Sequence, residues 1–333
     1  MYTIVVDAMG GDHGSSPNVQ GTILALKKSK KKFNVILVGD PSTFTHKIPK
    51  KLAKYIEIVE THDVFGMDES ATEVRKRKES SIYKAIELVK SGRADALVSA
   101  GHSGATMALA TLQIGRVKGV QRPAIATLMP TETGGKTLVL DVGANTDCKP
   151  EHLFQFAILG EAYAKDVLKV ESPRVGLLSN GEEESKGNEI TKATFKMLQQ
   201  MPSFVGNVEG NDIFNNSVDV VVCDGFVGNI LLKTSEGVAS SISKLIKMNI
   251  KRSPRALTGA LLMRRVFKLL KKQIDYAEYG GAPLIGVNKP TIICHGKSNH
   301  IAIKNAIYQA ISFAESNINE DIAKNIASYH IES

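Results

Sequence analysis

The chain has 333 residues, 43% of them hydrophobic and 23% charged, with 42 Lys plus Arg against 34 Asp plus Glu for a net charge of +8. That composition belongs to a folded globular chain and excludes a disordered one, and the length suits two domains or one large α/β unit. No apolar run reaches the eighteen residues that a spanning helix needs, and the three cysteines (Cys148, Cys223, Cys294) have no CxxC spacing, so neither a disulfide framework nor a zinc site is expected.

The chain opens on a buried strand, Ile4–Asp7, with no basic leader before it. Eight more short apolar runs follow: Val35–Val38, Ile56–Val59, Ala96–Ser99, Ala124–Leu128, Leu138–Asp141, Val175–Ser179, Val218–Cys223 and Ile292–Cys294. Runs that are apolar throughout suit strands covered on both faces, and helical stretches between them imply parallel crossovers. A long helix is expected after Ser298, with Ala302, Ala306, Ile307, Ala310 and Ile311 on one face. The chain reads as a single α/β unit over 1–333, with at most a sub-domain boundary near Pro150.

Half of the 28 glycines fall in short clusters, most of them just past a predicted strand. Open parallel sheets place ligands there, and a following helix N-terminus offers free N–H groups to an anion. The first cluster, Asp7-Ala-Met-Gly10-Gly11-Asp-His13-Gly14, does not fit the GxGxxG dinucleotide pattern. Asp7, Asp12 and His13 lack further ligands at a telling spacing, so no metal is assigned. Thr133–Thr137 ends like a P-loop, but Pro130 stands where its first glycine belongs and a strand follows.

Gly101-His102-Ser103-Gly104-Ala105 sits between a strand and a helix, the setting of a nucleophile elbow. With Asp224 and His295 it gives the order Ser, Asp, His, so a serine hydrolase is a rival reading. Two other readings stay open: Ser103 caps the helix, or Ser103 and the helix start hold a phosphate. In Asn180-Gly181-Glu-Glu183-Glu-Ser-Lys186-Gly187, Lys186 is placed to meet an anion, with a carboxylate nearby to orient it.

From Gly237 to Ile274 there are ten basic residues and no acid, with Pro254 dividing two expected helices. At about 100° per residue, Leu262, Met263, Val266, Phe267, Leu269, Leu270 and Ile274 cover roughly 160°, while Arg264, Arg265, Lys268, Lys271 and Lys272 cover roughly 120° opposite them. This amphipathic element reads as a contact for an anionic membrane or an acidic protein, for a dimer mate, or as a surface helix packed on its own core. Scarce aromatics around the cations disfavour nucleic acid. The rest of the chain carries 32 cations against 34 acids, a near-neutral body.

Taken in order, residues 7–14, 99–105, 141–150 (Asp-Val-Gly-Ala-Asn145-Thr-Asp-Cys-Lys-Pro), 180–187, 223–229 (Cys-Asp224-Gly-Phe-Val-Gly228-Asn229), 279–287 and 293–296 resemble the phosphate acyltransferase (PlsX) family. The resemblance runs from Ile4 to about His300. It implies a homodimeric three-layer α/β/α fold like isopropylmalate dehydrogenase and phosphotransacetylase, with a protruding amphipathic helix pair. It implies transfer of an acyl group from acyl-[acyl carrier protein] to inorganic phosphate, without a cofactor, for phospholipid synthesis. It also implies a cytoplasmic protein attached peripherally to the inner face of the membrane, with Leu262, Arg264, Arg265, Phe267, Lys268 and Lys271 as contacts. His102-Ser103 departs from the usual Asn-Thr of the family, and the proline that follows Asp-His-Gly is displaced to Pro17.

On this reading Lys186, Asn229, Asp224 and Ser103 carry the chemistry. Asp7, Gly10, Gly11, His13, His102, Gly104, Ala105, Asn145, Asn180, Gly181, Glu183 and Gly228 line the phosphate and substrate site. Asp224 and Asp7 orient loops and cations, and Asn145 is a phosphate donor. A non-enzymatic membrane scaffold is the remaining alternative.

Overall fold

The computed structural model describes residues 1–274 and 280–329, and for Lys271, Lys272 and Ile274 the backbone alone. Residue 279 and those three side chains, all singled out above, therefore lie outside the described residues. The elements run β1 (Thr3–Asp7), α1 (Ser15–Lys28), β2 (Asn34–Gly39), α2 (Lys50–Ala53), β3 (Ile56–Glu60), α3 (Ser81–Lys90), β4 (Ala96–Ser99), α4 (Ser103–Leu109), β5 (Ala124–Pro130) and β6 (Lys136–Leu140). They continue through α5 (Pro150–Asp166), β7 (Val175–Leu178), α6 (Glu189–Leu198), β8 (Phe204–Val208), α7 (Asp212–Asn215), β9 (Val220–Val222) and α8 (Gly225–Lys251). The chain then forms α9 (Pro254–Leu262), α10 (Arg264–Ile274), β10 (Ala282–Ile285), β11 (Thr291–Ile293), α11 (His300–Ala314) and α12 (Ile318–Ser328).

All nine expected strands form, and β8 and β10 join them in one eleven-stranded sheet, ordered β3-β2-β1-β4-β11-β10-β5-β6-β9-β7-β8. Successive residues alternate between two buried faces: Ile4 and Val6 lie in one core, Val5 in the other. One core packs under α1, α5, α6, α11 and α12, and the other under α3, α4, α7 and the start of α8, which makes three layers. Pro150 is the first residue of α5, whose residues 152–160 are all buried.

The sheet is not parallel throughout. The β11–β10, β10–β5 and β5–β6 pairs are each antiparallel, and the other neighbours are parallel. Three reversals in a row mean that β6, β9, β7 and β8 run opposite to β1, β2, β3, β4 and β11. Residues 131–135 form the hairpin loop between β5 and β6, closed by Gly134 N–H to Thr131 O at 3.0 Å, so the P-loop look-alike Thr133–Thr137 spans the end of this loop and the start of β6.

The basic element comprises three helices rather than two. α8 begins at Gly225, so the 223–229 motif forms its first turns, and α9 and α10 break at Met263. Pro254 sits at the first position of α9, and Ser253 Oγ accepts from Ala256 N–H. Every residue from 240 to 249 is exposed, and Leu262 is 87% exposed. A surface helix packed on its own core would bury these side chains, so that reading falls. Among the described residues, no helix is long and apolar enough to cross a membrane.

Candidate functional site

At the carboxyl ends of β1 and β4, Asp7 is buried and holds two turns. Its Oδ1 accepts from Met9 and Gly10 N–H at 3.3 and 3.2 Å, and its Oδ2 accepts from Ser99 Oγ at 3.0 Å. Burial pushes its carboxyl above the usual carboxylate range, against these hydrogen bonds. The β1 and β4 turns approach so closely that a Cβ on Gly10 would stand 2.7 Å from Gly101 N. Gly10 and Gly11 thus meet protein rather than forming an open anion cradle; Gly11 faces Gly296 O and Ala100 O. His13 is exposed on the turn into α1.

The cap of α4 is His102, not Ser103. His102 Nδ1 accepts from Ala105 N–H at 3.2 Å, and its ring meets Phe65 edge-on at 5.8 Å between centroids. The Ala105 amide is therefore engaged, which removes it as an anion donor in this arrangement. Ser103 is exposed as the first helical residue, and the amides of Ser103 and Gly104 have no intrahelical acceptor. Over this end lies a segment that the sequence reading missed. Ala71 sits against Gly104, and Arg77 ties the segment together by pairing with Asp63 and Glu69. That guanidinium holds the Asp63 carboxyl below its usual range. The only cue in the sequence was its density of charge.

A second cluster gathers at the carboxyl ends of β6 and β9. Asp141 is fully buried; its Oδ1 accepts from Ile125, Gly143 and Ala144 N–H, and its Oδ2 from Asn145 N–H and Nδ2 at 2.7 and 2.8 Å. Burial pushes its carboxyl up, opposed by the hydrogen bonds from Ala144, Asn145 and Gly143. The other Asn145 Nδ2 hydrogen bond goes to Pro123 O at 2.9 Å. Both amide hydrogens being engaged, Asn145 fixes the turn and cannot be the expected phosphate donor. Asp224 caps α8 through Val227 N–H at 2.8 Å. Gly225 packs on the Asn145 backbone and Gly228 on Asp141 O, seating the helix directly on the 141–145 turn. Asn229, one residue on, lies beside Gly143 and is half-buried.

The third cluster follows β7, the neighbour of β9. Asn180 Oδ1 accepts from Gly187 N–H at 2.8 Å, Glu183 O from Lys186 N–H at 2.9 Å, and Asn207 Nδ2 donates to Glu183 O at 3.0 Å. These bonds fix a compact loop in which the Lys186 side chain crosses Gly181. Lys186 is exposed and, among the described residues, has no carboxylate within ion-pair distance. The expected orienting carboxylate is thus absent, and Glu183 contributes its backbone instead.

The opposed strand directions decide which residues meet. Asp141, Asn145, Asp224, Asn229 and Lys186 follow adjacent strands β6, β9 and β7 at one end of the sheet. Asp7, His102, Ser103 and His295 follow β1, β4 and β11 at the other. A Ser103–Asp224–His295 triad does not form, because Asp224 caps a helix at the opposite sheet end; His295 Nδ1 accepts from Lys297 N–H.

Comparisons with known proteins agree with this architecture. A family model described as "Fatty acid synthesis protein" matches residues 2–321. A phosphate acyltransferase of a Nitratiruptor species is 64% identical over 326 residues, 98% of each chain. One of Campylobacter fetus subsp. fetus is 63% identical over 329 residues, 99% of each. Among solved structures, a Streptococcus pyogenes phosphotransacetylase superposes with a TM-score of 0.60 at 20% identity, covering 94% of both chains. An Enterococcus faecalis branched-chain phosphotransacylase gives 0.61 at 14% identity, covering 95% of this chain and 100% of its own. The distant structures establish the three-layer fold alone; with the family model and the near-identical lengths of its relatives, they leave one conclusion, that the chain belongs to the phosphate acyltransferase (PlsX) family of acyl-transferring enzymes.

Proposed function

We propose that the enzyme moves a fatty acyl group from acyl-[acyl carrier protein] to inorganic phosphate, giving the acyl phosphate used in glycerophospholipid synthesis. The observation that carries this reading is Lys186: an exposed ammonium, unpaired among the described residues, on a hydrogen-bonded loop one strand from the helix that bears Asn229. β7 and β9 are adjacent and parallel, about 4.8 Å apart, so the segments that follow them leave the same end of the sheet, and both residues are assigned to one site there.

Phosphate is already an anionic nucleophile at neutral pH and needs no covalent enzyme intermediate. Lys186 neutralises it and holds it against the thioester carbonyl. A phosphate oxygen attacks the carbonyl carbon, and the carbonyl oxygen becomes an oxyanion that accepts from Asn229 Nδ2. Collapse re-forms the carbonyl, breaks the C–S bond and releases the carrier thiolate. Positioning of this kind supplies about 7–11 kcal/mol in favourable cases, and one aimed oxyanion donor about 3–4 kcal/mol. Asp7, Asp141 and Asn145 position turns. Ser103 and the amides of Ser103 and Gly104 are assigned to substrate binding rather than to the bond change.

Incubation with palmitoyl-carrier protein and phosphate, followed by hydroxylamine trapping, tests the reading. Acyl hydroxamate that depends on phosphate supports it; none defeats it. Lys186→Ala and Asn229→Ala should each lower kcat by about 100-fold or more. The exposed apolar surface of α8–α10 supports attachment to the inner face of the cell membrane, and the same surface is the candidate contact for a homodimer mate.

A further inference from the structure

Residues 103–114 run from one sheet end toward the other, and one stripe of this stretch is not covered. Met107, Ala108, Thr111 and Leu112 fall on it at the i, i+1, i+4, i+5 spacing. They face Pro123 and Asn145 across an open groove of about 240 Å³. Leu109, pointing the other way, is fully buried, whereas Leu112 is 53% exposed. The one cation on the lining, Arg122, donates to Asp147 O at 2.7 Å and so is turned along the loop.

We propose that this groove holds the hydrocarbon chain of the acyl substrate, with the thioester end at Asn145. The proposal rests on the acyl-transfer reading and names the subsite that reading lacks. Five of its eight lining residues suit an alkyl chain: two methyl-bearing side chains, a leucine, a proline and a methionine, whose unbranched thioether adapts to chains of varying shape; the other three are Gln121, Arg122 and Asn145. No carboxylate lines it, and its only guanidinium is engaged. Continuity supplies the direction. Asn145 is a groove wall, its backbone packs on Gly225, and Gly225 opens the helix that carries Asn229. A chain laid along α4 therefore ends at the reacting centre.

The groove then sets chain-length preference. Ala108→Phe fills it, and Leu112→Ala, at an exposed position that tolerates truncation, removes part of its wall. The measurement is kcat/KM for butyryl-, octanoyl- and palmitoyl-carrier protein, with circular dichroism melting to show that each variant is folded. The palmitoyl-to-butyryl ratio should fall about tenfold or more in Ala108→Phe and severalfold in Leu112→Ala, since single methylene contacts discriminate by about 10-fold upward. Saturable binding of fluorescent cis-parinarate, read without turnover, should weaken about tenfold in Ala108→Phe.

An unchanged ratio with unchanged parinarate affinity overturns the proposal. So does an equal loss for all three donors, or a variant that alters the oligomeric state instead of the chain-length profile, which would assign the groove to a second copy of the chain. If parinarate binds and Ala108→Phe releases it while no donor gives phosphate-dependent product, the groove stands and the acyl-transfer reading falls.

Discussion

Gly228 shows how a single hydrogen in place of a methyl group seats α8 on the 141–145 turn. A Cβ there would overlap Asp141 O and come within 2.9 Å of Cys223 Sγ, whereas a Cβ on Gly237, farther along the same helix, meets nothing within 4 Å. Alanine is the better helix former at both positions, by about 1 kcal/mol. Gly237→Ala should therefore stabilise the protein by about 0.5–1 kcal/mol. Gly228→Ala should destabilise it by about 1–3 kcal/mol through overpacking. Urea unfolding of both variants checks the pair, and equal effects would contradict the seating of α8 on the 141–145 turn. Buried titratable groups make a second residue-level claim. Burial pushes the Tyr163 hydroxyl and the Cys294 thiol each up to about 12. Raised native values mean that the folded state keeps protons the unfolded chain releases, so stability falls as pH climbs from about 9 to about 12. Unfolding free energy measured at about pH 8 and about pH 11 should drop, and drop less in Tyr163→Phe; a pH-independent value would refute it. At this scale the sequence marked the glycine-rich turns but not the hydrogen bonds that hold them. Nothing in Ala-Asn145-Thr shows that both amide hydrogens of Asn145 are spent on Asp141 and Pro123, because those partners are 4 and 22 residues away. Nor does the sequence show that His102, rather than Ser103, caps α4.

Elements were legible wherever hydrophobicity ran unbroken. The nine expected strands announced themselves by Val- and Ile-rich runs, the edge strand β3 among them despite its exposed Glu57, and the face expected for α11 is the buried one. The two missed strands are those in which another demand interrupts the run. β8, at the sheet edge, leaves Val205 exposed and carries Gly206 and the polar Asn207, so no continuous apolar run marks it. β10 contains Pro283, which rarely lies inside a ladder, and runs antiparallel to both neighbours. That unforeseen strand, together with the β5–β6 hairpin, reverses the second half of the sheet, and this reversal is why residues expected to converge divide between two ends. The amphipathic element was read correctly as basic and apolar, but its bare apolar side could come only from the fold. Leu261, Leu262, Val266 and Leu269 are 69, 87, 53 and 57% exposed. Leu262→Glu with Phe267→Glu should leave the melting temperature nearly unchanged, since little core is touched, yet abolish sedimentation with phosphatidylglycerol vesicles. Retained sedimentation would exclude α9–α10 as the membrane contact, and size-exclusion chromatography of the same variant separates loss of a dimer from loss of lipid binding.

Across the whole molecule, the +8 net charge resolves into two basic faces rather than the single one read from the sequence. Residues 27–54 hold nine lysines and one acid, Asp40, and all nine lysines are exposed. Their proximity follows from the sheet: Val35 pairs with Ile56, and Val35 N–H donates to Tyr55 O, so the lysines before β2 and before β3 share one sheet end with the last turn of α1. Residues 237–274 hold ten more cations, leaving 23 cations against 33 acids elsewhere. The two faces differ in kind. None of the large exposed apolar side chains falls within residues 27–54, whereas α8–α10 carries many. Binding through the lysine face is therefore electrostatic and screened over a Debye length of about 10 Å at 0.1 M salt, while binding through the helices adds apolar burial that salt does not screen. Replacing Lys27, Lys28, Lys30 and Lys32 with Gln should let the protein leave a sulfonate cation exchanger at lower salt without changing vesicle retention at high salt. The Leu262→Glu, Phe267→Glu variant should lose vesicle retention at high salt. An exchanger profile insensitive to the four lysines, or their loss alone releasing the protein from vesicles in high salt, would show that the two faces do not divide the work in this way.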